Sequence, residues 1–353
     1  MEALPRPRRW LVTGAAGFIG SHLVEALLAR GEEVRGLDDL STGRLANLDD
    51  VRARVGEERW RRFSFAVGDV GDPAACREAC AGVDVVLHQA ARGAVPRSLA
   101  DPLAAHAANC AGFVSVLEAV RAAGCARLVY ASSSSVYGDS RLLPRREEEL
   151  GVPLSPYAAT KRADELYAAA WHRAFGVPAI GLRYFNVFGP RQDPAGPYAA
   201  VLPRWTLALL CGERPVIHGD GTTSRDFTAV ADIVRANLLA AEAGPEAVGG
   251  VYNVGSGEEV DLGTALAVLR AELATRGVDC AGLAPRHDAL RPGDVPRSRA
   301  DLERARRGLG FRPAVGFAAG VREMVAWFVG AYGPRGTGRD FPGPSLHSSG
   351  GGR

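Results

Sequence analysis

Trp10-Leu11-Val12-Thr13-Gly14-Ala15-Ala16-Gly17-Phe18-Ile19-Gly20 decides how this chain is read. The apolar run to Thr13 reads as the end of a buried strand, and Ser21 to Arg30 as an amphipathic helix. A glycine-rich turn between them aims backbone N–H groups and the positive end of the helix dipole at one point, which suits a pyrophosphate. Gly14, Gly17, Phe18, Ile19 and Gly20 are the expected cradle. Their spacing is Gly-x-x-Gly-x-x-Gly rather than the Gly-x-Gly-x-x-Gly of the standard dinucleotide fingerprint. The next strand ends in Asp38, where an acidic side chain meets an adenosine ribose. A carboxylate there repels a 2′-phosphate and favours NAD over NADP, with Arg35 and Arg44 nearby as the opposing signal.

Outward from this turn, strands are expected at 9–13, 33–37, 63–67, 83–88, 128–131 and 179–183, separated by helical stretches such as the Ala-rich 102–123. Such alternation implies an α/β fold, a doubly wound parallel sheet of the Rossmann kind. After Asn186 prolines and glycines become dense. Residues 9–185 are thus assigned to an NAD-binding domain. Residues 186–332 are assigned mainly to a smaller C-terminal substrate-binding lobe, with 251–255 returning to the main sheet. The composition of 1–8 predicts a flexible N-terminus, and that of 333–353 a disordered tail.

Lys plus Arg is 42 and Asp plus Glu is 40, so a net charge of +2 gives no reason to expect nucleic acid or a membrane surface. No window is expected to reach the ~20 apolar residues of a membrane span. The six cysteines are scattered, and Cys76 and Cys80 lack the partners of a zinc site, so no metal is expected. Reduced cysteines imply a cytoplasmic enzyme.

Two further stretches carry chemistry. In Ser155-Pro156-Tyr157-Ala158-Ala159-Thr160-Lys161, Tyr157 and Lys161 lie one helical turn apart. An ammonium there stabilises a phenolate, so the pair can accept a proton beside a hydride carrier. The strand 127–131 runs into Ser132-Ser133-Ser134-Ser135-Val136-Tyr137-Gly138. Hydroxyls at the carboxyl end of such a strand open on the ligand crevice. His88, at the end of another strand, reads as a packed histidine rather than a base, and Asn109 as a brace for the sheet.

With these stretches, Val95-Pro96-Arg97-Ser98, Leu182 to Asp193, Tyr198 to Trp205, Ser224-Arg225-Asp226-Phe227 and Arg291-Pro292-Gly293-Asp294 complete a pattern. Over about residues 8 to 332 the chain resembles the extended short-chain dehydrogenase/reductase family that acts on nucleotide sugars, in particular bacterial UDP-N-acetylglucosamine 4-epimerases. The resemblance implies a cytoplasmic NAD-dependent 4-epimerase of polysaccharide biosynthesis, with catalytic Ser133, Tyr157 and Lys161. It implies adenine contacts at Asp69 and Val70 and close backbone approach to the pyrophosphate at Ala90. On the substrate side it implies Ser134, Ser135, Asn186, Gln192, Ala200 and Val201. Arg225 and Arg291 would meet the UDP pyrophosphate, and Asp294 the uridine ribose. Relatives form homodimers through a four-helix bundle that includes the Tyr157 helix.

Departures within the family sharpen the expected substrate. Sugar dehydratases carry an Asp-Glu pair where this chain has Ser134 and Ser135, which argues against that reaction. Ser298 stands where epimerases that exclude N-acetyl sugars carry a Tyr, so it should leave room for an acetamide, and Gln192 is positioned to bond it. The related N-acetyl epimerases carry a Ser where this chain has Ala94, so one hydroxyl contact is absent. UDP-glucuronate, UDP-N-acetylglucosaminuronate and UDP-glucose 4-epimerases are the alternatives; a non-catalytic NAD-binding sensor is the reading from another class.

Overall fold

The computed structural model describes residues 8–195, 199–289 and 295–333. Six strands of the main sheet come in the first half: β1 (Arg9–Thr13), β2 (Glu33–Asp38), β3 (Phe63–Val67), β4 (Val85–His88), β5 (Arg127–Ser133) and β6 (Ala179–Tyr184). The late strand Val251–Val254 adds beside β6, giving the order Val251–Val254, β6, β5, β4, β1, β2, β3 with every neighbour parallel. The chain winds outward from β1 to β3 and then in the other direction from β4. The gap between β1 and β4 is the topological switch, and the carboxyl ends of the strands open there.

Both faces of the sheet are covered, which is why strands such as β6 are buried at every residue. One face packs on Leu23, Val24 and Leu27 of the helix Phe18–Ala29 and on Ile233 and Ala236 of Val230–Glu242. The other packs on Phe113, Val116, Leu117 and Val120 of Gly112–Ala123. A separate core holds Phe188, Trp205, Leu209, Phe227, Leu269, Met324 and Phe328 beyond the crevice. The helices Val201–Leu210, Leu262–Ala274 and Phe317–Tyr332 supply most of it.

Several elements differ from their sequence-based expectation. The helix after the glycine turn starts at Phe18, directly after Gly17, and not at Ser21. Strand β5 continues to Ser133 because Ser132 and Ser133 pair with Arg183 and Tyr184 of β6. The stretch Pro102–Ala123 is long and apolar enough, at 22 residues, to pass a membrane-span test by composition, contrary to expectation. Half of its apolar window is buried inside the protein, so its composition is that of a core helix. It is also interrupted by a wide π-turn at Ala107–Ala111. That turn carries Asn109, which does not brace the sheet. Its Oδ1 accepts from Arg92 N at 2.8 Å and its Nδ2 donates to Thr160 Oγ1 at 2.9 Å. It therefore ties the loop after β4 to the helix Pro156–Phe175. All six cysteines are free thiols.

The helix Pro156–Phe175 is capped by Ser155, whose side chain accepts from Ala158 N, and begins with Pro156. It is fastened to the sheet by charge. Arg183 of β6 donates from Nε to Glu165 Oε1 at 2.8 Å and from Nη2 to Oε2 at 2.9 Å. Ser132 of β5 donates to the same carboxylate at 2.6 Å. Arg183 and Glu165 are 3% and 5% exposed, so neither finds water if the other is removed. Arg183→Met should cost about 3–5 kcal/mol in urea unfolding, the usual result of stranding one buried charge. The double change Arg183→Met/Glu165→Met should cost less than the single. A single variant that unfolds no earlier than the double would contradict this account of the fastening.

Candidate active site

A crevice of about 980 Å³ opens at the switch point and runs under the smaller lobe. Gly14, Gly17, Phe18, Ile19, Gly20, Asp38, Asp69, Val70 and Ala90 line its sheet end. Ser133, Ser134, Tyr157 and Lys161 lie along its middle, and Asn186, Gln192, Ala200, Val201 and Arg225 along its lobe end. Residues far apart in sequence thus meet in one cavity of the size usual for a ligand site.

At the sheet end, the turn is closed by steric limits. Gly14 has φ +68, and a Cβ there would lie 2.8 Å from Ala90 N. A Cβ on Gly20 would lie 1.9 Å from Gly14 O. Asp38 is nearly buried and accepts from Ala16 N at 3.0 Å and Leu40 N at 2.8 Å. Burial pushes its carboxyl above the ordinary range, against the pull of these amides. Arg35 turns away and donates to the carbonyls of Glu78 and Ala79 at the end of the helix Pro73–Cys80. Arg44 pairs with Asp193 at 2.7 Å. Both arginines that opposed the NAD preference are thus occupied elsewhere.

In the middle, geometry separates the four serines. Ser132, Ser133 and Ser134 all border the crevice, but Ser132 Oγ is committed to Glu165 on the neighbouring helix. Ser133 Oγ accepts from Ser135 N at 3.2 Å and from Ser135 Oγ at 3.0 Å. Ser135 thus bonds Ser133 and is not among the described residues that line the crevice. Tyr157 lines the crevice, and its backbone N–H donates to Ser98 Oγ at 3.0 Å. Lys161 is 2% exposed. His88 is 1% exposed and bonded to Thr13 Oγ1 at 2.8 Å. Burial, then the charge of Lys161, lowers its pKa to about 3, so it stays neutral and packed on Phe113.

At the lobe end, Gln192 Nε2 donates to Val187 O at 3.1 Å, and its buried Oε1 has no partner among the described residues. Ser298 is not among the described residues that line the crevice. Its segment runs beside the strand Ser224–Arg225: Pro296 O accepts from Ser224 N at 3.0 Å, and Ala300 N donates to buried Asp226 at 3.0 Å. Arg291 and Asp294 lie outside the described residues. Sequence reasoning did not single out Trp205, Arg204 or Arg214, which also line the lobe end. Arg204 and Trp205 close the Tyr198 to Trp205 stretch of the resemblance, whereas for Arg214 only convergence on the cavity marks it.

The model of the NAD-dependent epimerase/dehydratase family matches residues 10–255. The chain belongs to the NAD-dependent epimerase/dehydratase family. It is 40% identical over 326 residues to a UDP-glucose 4-epimerase of Mycolicibacterium smegmatis, covering 91% of this chain and 98% of that one. It superposes with a TM-score of 0.84 on a UDP-N-acetylglucosamine 4-epimerase from Methanobrevibacter ruminantium in complex with UDP-N-acetylmuramic acid, at 36% identity over 92% and 99% of the two chains. A UDP-glucuronic acid 4-epimerase from Bacillus cereus, solved with UDP-glucuronic acid and NAD, gives 0.81 at 29% identity over 92% and 100%.

The glycine turn of this family member fits NAD on its own geometry: the space that a Cβ would take at Gly14 and Gly20 is held by backbone alone. Gly20→Ala forces Gly14 to move, because a 1.9 Å approach to its carbonyl is not sustainable. NAD affinity, measured by calorimetry on the purified protein, should fall at least ~10-fold, equivalent to ~1.4 kcal/mol. Unchanged affinity would mean that the turn does not hold the pyrophosphate.

Proposed function

We propose that the protein interconverts the C4 epimers of a UDP-sugar and takes UDP-N-acetylglucosamine and UDP-N-acetylgalactosamine best. NAD bound in the crevice would supply a reversible hydride acceptor for C4, able to give the hydride back to the other face of a 4-keto sugar. Tyr157 takes the proton of the 4-hydroxyl, with the Lys161 ammonium one turn away stabilising its phenolate. Ser133 Oγ accepts hydrogen bonds from Ser135 N and Ser135 Oγ, which leaves its own proton free to donate to the same sugar oxygen. Arg225 holds the UDP pyrophosphate, with Arg291 and Asp294 taking the roles that the family motif gives them. Asn186, Ala200 and Val201 border the sugar loosely enough for it to turn. Asp38 carries the adenosine ribose and favours NAD. Ser134, where a dehydratase needs an acid, has none to offer.

The N-acetyl reading rests on Gln192. Its amide nitrogen is committed to a carbonyl, which fixes the flip, so the free buried atom is an acceptor. An acetamide N–H supplies the missing donor; a glucose 2-hydroxyl does so with less reach.

A homodimer is supported by exposed apolar side chains on and beside the helix that carries Tyr157. Leu99 (61% exposed), Leu103 (81%) and Leu166 (60%) form an apolar surface with half-exposed Tyr167 along the neighbouring helices Val95–Ala100, Pro102–His106 and Pro156–Phe175. A second copy of the chain placed there, in a four-helix bundle, would bury the back of the Tyr157 helix.

With a panel of UDP-sugars and separation of C4 epimers, the N-acetyl pair should turn over fastest. Tyr157→Phe should lose at least ~10²-fold in turnover with UDP-sugar binding retained; near-normal turnover would rule out its assigned role. Gln192→Leu should lose ~10-fold or more on the N-acetyl pair, the scale of one buried hydrogen bond, and far less on UDP-glucose. Equal losses on both would remove Gln192 as the selector and favour the UDP-glucose reading.

A further inference from the structure

Lys161 is the only lysine in the chain; every other of its 42 basic side chains is an arginine. An ammonium is a compact point charge, and a guanidinium is a broad planar fork, so the two do not fit the same buried slot. Lys161 is sealed at 2% exposure, and Asp164, one turn on along the same helix, at 1%. Lys161 Nζ donates to Asp164 Oδ2 at 3.1 Å. Asp164 Oδ1 is buried with no hydrogen-bond partner among the described residues.

The groups packed around this pair leave Asp164 as the carboxylate that answers Lys161. Glu165, next on the helix, is occupied by Arg183, Ser132 and Arg162. Cys110 from the π-turn is held as a thiol, its pKa raised to about 11 by burial and then by Asp164. Tyr130 of β5 is raised well above its usual value by burial, and His88 of β4 is neutral. Arg183 of β6 is spent on Glu165. Tyr157, one turn before Lys161 on the same helix, lines the crevice, as Lys161 itself does.

We propose that Asp164 is a positioning residue for the reaction: from below, it anchors Lys161 Nζ and keeps this buried ammonium charged beneath Tyr157. Burial is the largest influence on Lys161 and works to strip its proton; Asp164 and then Tyr157 outweigh it and hold its pKa above the ordinary value. Without the carboxylate, desolvation prevails, and the neutral amine no longer stabilises a phenolate. The same burial pushes Asp164 up to about 6 despite the pull of Lys161, so the pair is fully ionic only above that pH. This rests on Tyr157 and Lys161 being the reacting pair, but the charge of Lys161 does not depend on which sugar is turned over.

A chain with one lysine permits a direct test. Protein made with lysine carbon-13 labelled at the ε-carbon, and saturated with NAD, gives one lysine resonance to titrate by NMR. In the parent protein its main midpoint should lie above ~10.4, the ordinary lysine value. In Asp164→Asn it should fall by at least ~1 pH unit, and turnover should be lost over the same alkaline window while the parent stays active. An unmoved midpoint would overturn the proposal even if turnover fell. Should the variant not fold, the parent resonance still decides: it should show a small inflection near pH 6 as Asp164 takes its proton, and a flat trace there contradicts the pairing. A protein that turns over no UDP-sugar, yet titrates as expected, would sink the substrate reading and leave this one standing.

Discussion

The buried carboxylate of Glu165 is the constraint on which the site depends. It receives two bonds from Arg183 on β6 and one from Ser132 on β5. These three bonds set both the height and the rotation of the helix Pro156–Phe175 against the sheet. Glu165 lies one turn beyond Lys161 and two beyond Tyr157, so fixing it carries both to the crevice. Ser132 points at the carboxylate, and strand alternation then turns Ser133 the other way. The same Arg183 reaches Tyr137 Oη at 3.1 Å and Glu147 O at 2.9 Å, and Tyr137 donates to Asn253 at 2.6 Å. The late strand Val251–Val254, paired by backbone with β6, is thereby also joined through side chains to the turn that follows β5.

A second buried charge ties the lobe to the cofactor side. Arg191 is 3% exposed with φ 63, and it bonds His22, Glu25 and the carbonyl of Ser21 on the helix that follows the glycine turn. Burial, then Arg191, lowers the pKa of His22 to about 3, so His22 meets the guanidinium as a neutral ring. Gln192 is the next residue. Its place at the lobe end is thus referenced to the helix that follows the glycine turn. The anchoring of Lys161 by Asp164 acts on a smaller scale in the same way, with burial making each ionic contact consequential.

What was legible in sequence had a local period. The Gly14–Gly20 turn, the apolar strands and the Tyr157–Lys161 spacing each follow from geometry within one element, and the alternation of strands gave the parallel sheet. What was not legible depends on partners distant in the chain. Four consecutive serines look alike until β6 and Glu165 sort Ser132 from Ser133. The π-turn at Asn109 answers to Arg92 and Thr160, 17 and 51 residues away. Ser298 reads as a gate by its small size, and only the bonds of its neighbours Pro296 and Ala300 with Ser224 and Asp226 show where its segment runs. Asp164 had a signal in its three-residue offset from Lys161, yet on a charged helix that offset is common, and only burial shows its weight.

The central claim is that a hydride leaves C4 and returns to the same C4 within one closed site. A UDP-N-acetylglucosamine carrying deuterium at C4, turned over in ordinary water, tests it directly. The account predicts that the epimerised product keeps its deuterium at C4 and that no NADH accumulates. Loss of the label to solvent, or NADH rising in step with product, would contradict it.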